Sequence, residues 1–201
     1  MFYSVDMKFV FKLILGLLLC SSAAMAFPKP LVKVLDNGAT VVVVSDPTST
    51  ISSSYVFVRA GSIFEGEFLG SGISHYLEHL VAGGTTIFHS EIDYRKMIES
   101  LGGASNAYTS YDHSAYFIKS SSENTLKALR ILYEWIAFGA WTTAEVTRER
   151  GVIKKEMSRA NSNTQRLIFQ KSQSLYYKNS PYRFPILGYD NLFEKITESD
   201  L

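Results

Sequence analysis

Apolar and polar residues alternate in short blocks along this chain, and the period of alternation changes along it. Leu31, Val32 and Val34 around Lys33 predict a strand over 31–35. Asp36-Asn37-Gly38 predicts a hairpin turn, because Asn and Gly tolerate the positive φ angles of a tight turn. Residues 41–44 form the returning strand, and 53–59 a third that ends at Ala60-Gly61. The period then becomes helical over 72–82, and Gly83-Gly84 stops it. Ser90 predicts the N-cap of a second helix, which runs to Leu101 and ends at Gly102-Gly103. Strands follow over 105–110 and 114–120, about a Tyr111-Asp112-His113 turn. Leu126, Leu129, Tyr133 and Ile136 mark the apolar stripe of an amphipathic helix. Thr142 and Glu145 make a capping box for the next helix, striped by Val146, Ile153 and Met157. A last long helix covers 164–178, and Asn179-Ser180-Pro181 breaks it. Thr197-Glu198-Ser199-Asp200 is another capping signature, and a helix starting there predicts that this chain is part of a longer polypeptide. The fold class this pattern predicts is α+β, with a mixed, largely antiparallel sheet packed by helices.

The N-terminus departs from this pattern. Residues 9–20 read FVFKLILGLLLC, preceded by Lys8 and followed by Ala24-Met25-Ala26. A basic start, an apolar run and small residues before a cleavage point predict a signal peptide over 1–26, with Met7 as a plausible initiator. The run is shorter than the roughly 20 residues of a membrane span, so no stable span is expected after cleavage. No Arg precedes Arg59, which argues against a mitochondrial targeting segment. Three Leu before Cys20 argue against lipidation there. The mature domain, 27–201, is therefore expected to be exported, periplasmic or secreted, and to lack its only cysteine and any disulfide. A net charge of +1 with interspersed signs gives no field to attract nucleic acid.

Chemistry concentrates in His75-Tyr76-Leu77-Glu78-His79. Four residues apart on a helix, the two imidazoles stack on one face, and Glu78 flanks it. Ile73, Tyr76, Leu77 and Leu80 take the other side, and no Lys or Arg occurs between Gly70 and Phe88. Two His, a nearby acid and an open coordination position are what a catalytic zinc site requires. His89 and His113 qualify as a third ligand by type, but a cap and a turn are exposed places. Glu149 and Glu156 lie two turns apart on or beside one helix's apolar stripe. From the wheel alone they fit a metal site and a solvated stripe margin equally well.

His75 to His79 matches the H-x-x-E-H signature of inverted zinc peptidases. With Glu156, 77 residues beyond His79, it resembles the insulysin, pitrilysin and mitochondrial-processing-peptidase family. Arg59-Ala60-Gly61-Ser62 with Glu65, Gly72-Ile73-Ser74, Gly84-Thr85, Asn106-Ala107-Tyr108-Thr109 and Glu149-Arg150-Gly151-Val152-Ile153 carry the same resemblance. It implies that the chain is the N-terminal catalytic half-unit of that fold, lacking its last strands. It further implies that His75, His79 and Glu156 bind one zinc ion, with Glu78 as general base and Glu149 as a supporting acid. Asn106, Ala107 and Tyr108 match the edge strand that pairs with an extended peptide substrate. A second homologous half, fused or separate, is the implied partner. The family carries bulkier residues at Val81-Ala82-Gly83, so this wall of the site differs. The expected activity is zinc-dependent endopeptidase hydrolysis. A non-catalytic partner subunit of the same fold and an inert zinc-binding fragment are the alternatives.

Overall fold

The computed structural model describes residues 28–201, so the predicted signal peptide lies outside the described residues. The described residues divide into two units, one ending at Thr48 and the other over 49–201. In the first, β1 (Leu31–Val34) and β2 (Thr40–Val43) form an antiparallel hairpin with Leu31 opposite Val43. Asn37 Oδ1 accepts from the Ala39 amide at 3.1 Å, closing the predicted turn.

The second unit is built on a sheet of β3 (Ile51–Val58), β4 (Ala104–Thr109) and β5 (Ser114–Ser121). Their order is β3-β5-β4, and every strand pair among the described residues is antiparallel. β4 is therefore an edge strand of this sheet. Tyr116 and Ile118 of β5 pack against Tyr94 and Ile98 of α2 (Glu91–Ser100) and Ile131, Leu132 and Trp135 of α3 (Thr125–Ala137). The side chains that bury α3 correct the predicted stripe. Leu126, Leu129, Tyr133 and Ile136 are the exposed ones, Leu126 at 81%. Both faces of this helix are apolar. The sheet takes the face with Ala128 and Trp135, where a small residue lets the backbone approach and a large indole fills the layer.

Two further helices form a second core. α1 (Ile73–Val81) contributes Ile73, Tyr76 and Leu80, and α4 (Thr143–Asn161) contributes Val146, Ile153 and Met157, as the stripe predicted. Leu187, Phe193 and Ile196 complete it. Gly72 caps α1 with φ +78°, a conformation that glycine alone adopts freely. A Cβ there would also stand 2.4 Å from the Leu187 carbonyl oxygen. The buried Glu65 carboxylate accepts from the Ser74 amide at 3.0 Å and the Gly70 amide at 3.2 Å, placing negative charge at the positive end of α1.

α4 begins at the predicted capping box of Thr142 and Glu145. Tyr76 Oη donates to the Val146 carbonyl at 2.5 Å and so joins α1 to α4. Arg150 reaches from α4 to the carbonyls of Phe193 and Ile196. α5 (Thr164–Tyr176) ends two residues before the predicted boundary, and Asn163 caps its start. The short α6 (Asp190–Phe193) was not predicted, because four residues carry no readable period. The Thr197–Asp200 box forms, with a 3₁₀ turn over Glu198–Asp200. None of the described helices is long and apolar enough to cross a membrane.

Candidate metal centre

α1 supplies His75, Glu78 and His79, and α4 supplies Glu149 and Glu156. Because Tyr76 and Leu80 are buried against Val146 and Ile153, the polar side of α1 is turned along α4. The result brings together donors that lie far apart in sequence. His75 Nε2 is 3.8 Å and His79 Nε2 3.7 Å from Glu156 Oε2. One ligand atom from each of the three lies within 4.8 Å of the others. Donors around a zinc ion at roughly 2.0–2.2 Å stand about 3.3–3.5 Å apart, so a small closure accommodates the metal. Two neutral imidazoles and one carboxylate are a donor set that zinc accepts.

The two imidazoles are supported differently. His79 Nδ1 is 3.0 Å from Glu149 Oε2. A proton on Nδ1 shared with that carboxylate leaves the Nε2 lone pair facing His75 and Glu156. Glu149 is held in turn by Arg148 Nε at 2.9 Å, and Arg148 also pairs with Glu91 at 2.9 Å. His75 Nδ1 is buried without a hydrogen-bond partner among the described residues. Burial, and then the nearby charges of His79 and Arg166, bring the His75 pKa down to about 4. His75 is therefore neutral at pH 7, with a lone pair to give.

Glu78 does not join the donor cluster. Its Oε2 is 3.8 Å from His75 Nε2, and Thr109 Oγ1 donates to the same oxygen at 3.0 Å. Burial pushes the Glu78 carboxyl above its ordinary range, against the pull of the Thr109 bond and of His79. Repulsion from Glu156 adds to the rise. A carboxylate raised in this way is more basic and accepts a proton more readily.

Glu78 and His79 also line a cavity of about 240 Å³ with Ala82, Gly83, Asn106 and Ala107. The small residues at 82 and 83 thus open the wall beside the site. Asn106 and Tyr108 are exposed and Ala107 half-buried on β4, so the predicted substrate strand borders this cavity. The Ala107 amide donates to Asn106 Oδ1 at 2.9 Å.

His89 and His113 are outside the cluster, half-exposed rather than open. His113 Nδ1 is 2.6 Å from Asp112 Oδ1, and His89 Nε2 is 4.0 Å from Glu134. One contributor carried no assigned role in the sequence, and a second carried only a capping role. Thr109 lies two residues after Ala107, and strand alternation puts both on the helix-facing side. Glu145 is more than a cap, since it also accepts from the Thr85 amide at 3.0 Å and anchors the loop after α1.

The family model described as Insulinase (Peptidase family M16) matches residues 40–190. The beta subunit of the rat mitochondrial-processing peptidase is 33% identical over 174 residues, 87% of this chain and 35% of that protein. An uncharacterized zinc protease of Rickettsia felis is 32% identical, over 82% of this chain and 39% of its own length. A solved protease from Helicobacter pylori superposes with a TM-score of 0.76 at 28% identity, covering 87% of this chain and 42% of that one. The chain thus spans about two fifths of the length of these relatives.

Proposed function

The chain belongs to the insulinase family of peptidases, family M16, and on that premise we propose that it is the zinc-binding half of an exported metalloendopeptidase. The observation that carries this reading is the convergence of His75, His79 and Glu156 beside a buried Glu78. Those three residues would hold the zinc. When bound, the ion supplies Lewis-acid polarisation of the scissile carbonyl and a more acidic water.

The chain's own residues do the rest. An extended peptide pairs with the outer edge of β4 at Asn106, Ala107 and Tyr108, which fixes its register beside Glu78. Glu78 takes a proton from the attacking water as the new C–O bond forms. The proton on its carboxyl then passes to the amine nitrogen as the C–N bond breaks. Glu149 keeps His79 in the tautomer and ring orientation that ligation needs. Export is supported by the apolar run 9–20 and Ala24-Met25-Ala26 alone. A second homologous half is the proposed partner, because the relatives are more than twice as long.

The test measures zinc per chain and cleavage of a fluorogenic peptide, with the second half supplied. Wild type and Glu78→Gln should each retain about one zinc, and the variant should lose on the order of 10²-fold or more in kcat. Equal cleavage by both proteins would overturn the reading.

A further inference from the structure

Glu78 is joined to the sheet as well as to its own helix. Thr109, at the end of β4, donates its hydroxyl to Glu78 Oε2 at 3.0 Å. Thr109 Oγ1 also lies 3.3 Å from Ser114 Oγ, and Ser114 Oγ donates to the Ala60 carbonyl at 2.7 Å. The direction of these bonds follows from their partners. A carbonyl oxygen only accepts, so the Ser114 hydrogen is committed to Ala60. The single Thr109 hydrogen then has two acceptors in reach, and the carboxylate is both closer and stronger. Thr109 and Ser114 face each other across the β4–β5 ladder, and Ser114 pairs with Val58 of β3. Three strands therefore hold this hydroxyl in place.

We propose that Thr109 is a positioning residue for Glu78: it holds Oε2, the carboxylate oxygen nearer His75, and ties the base to the strand on which the peptide lies. This rests on Glu78 being the base. One residue pair thereby couples substrate register to proton transfer. A peptide seated on Asn106 to Tyr108 is aligned by the strand whose next residue aims the carboxylate.

The test compares wild type, Thr109→Val and Thr109→Ser in the full polypeptide. Valine keeps the shape of threonine and removes the hydroxyl; serine keeps the hydroxyl. Thr109→Val should lower kcat by roughly 10- to 100-fold, part of what a well-placed base contributes. KM should stay within about twofold and zinc content at the wild-type level, since neither pairing nor the ligands are touched. Thr109→Ser should recover kcat to within a few-fold of wild type. A kcat for Thr109→Val within about twofold of wild type overturns the proposal, as does a serine variant no better than valine. A second readout needs no activity. In a double-mutant cycle on melting temperature, Thr109→Val and Glu78→Ala should be non-additive in the zinc-free protein. If wild type holds zinc without Glu78-dependent cleavage, the peptidase reading fails, and the cycle alone decides whether the bond exists. Additive shifts would then overturn the inference too.

Discussion

Glu149 Oε2 stands 3.0 Å from His79 Nδ1, joining two helices whose residues here are 70 positions apart. This contact fixes which nitrogen of His79 faces Glu156. Partners of this kind are worth 10- to 100-fold in metal affinity. Glu149→Gln should therefore weaken zinc binding by about 10-fold or more while leaving all three donors in place. Competition against a chromophoric chelator measures it, and an unchanged affinity would remove Glu149 from any orienting role.

Glu156 is the carboxylate that α4 brings to the candidate cluster, and its side chain is 38% exposed. A ligand that binds only the folded state raises stability by mass action. The wild-type melting temperature should rise with added zinc and fall back with a chelator. Glu156→Gln should show little of that shift and less than one zinc per chain after dialysis. A full shift in the variant would place the third donor elsewhere.

The donors meet only if α1 and α4 keep their relative position. Tyr76 Oη, fully buried, donates to the Val146 carbonyl at 2.5 Å and spans those helices. Tyr76→Phe removes this bond and leaves the ring in its core. The expected cost is about 1 kcal/mol, a drop of roughly 2–4 °C in melting temperature. Calorimetry of the zinc-free proteins reads it directly. No change would mean that core packing alone sets the helix pair.

Much of this was legible before any coordinates. The Thr142–Glu145 box, the stripe of Val146, Ile153 and Met157, and the His75–Glu78–His79 face all formed as their spacing predicts. Local chemistry decides each of these, so a short window suffices. Glu156 was different: its wheel position allowed a margin or a ligand, and only resemblance chose between them. Thr109 was invisible as a contributor because its partner, Glu78, is 31 residues away on another element. The stripe on α3 failed for a related reason. With apolar residues on both faces, periodicity shows two candidates and the sheet selects one.

That selection is measurable. Leu132 is fully buried on α3, while Leu126 is 81% exposed. Leu132→Ala should cost about 2–5 kcal/mol through lost burial and a cavity. Leu126→Gln should stay within about 0.5 kcal/mol in this unit. Urea unfolding of the two variants separates the faces. The reverse order would restore the stripe of Leu126, Leu129, Tyr133 and Ile136 as the core side.

Glu145 adds a dependence on pH. Its carboxylate accepts from the Thr142 amide and hydroxyl at 2.8 Å each and from the Thr85 amide at 3.0 Å. Burial pushes its pKa up, but these bonds outweigh burial and hold it below the ordinary 4.5. A folded pKa below the unfolded one means that the unfolded chain binds the proton first on acidification. The stabilisation is therefore complete above about pH 4.5 and is lost as pH falls through the folded value. Glu145→Ala should cost on the order of 1–2 kcal/mol at pH 7, from the lost cap and the unpaired Thr85 amide. The gap between wild type and variant, followed by urea unfolding, should narrow by pH 3. A gap that is the same at both pH values would show that shape, and not the charge on Glu145, holds the loop after α1.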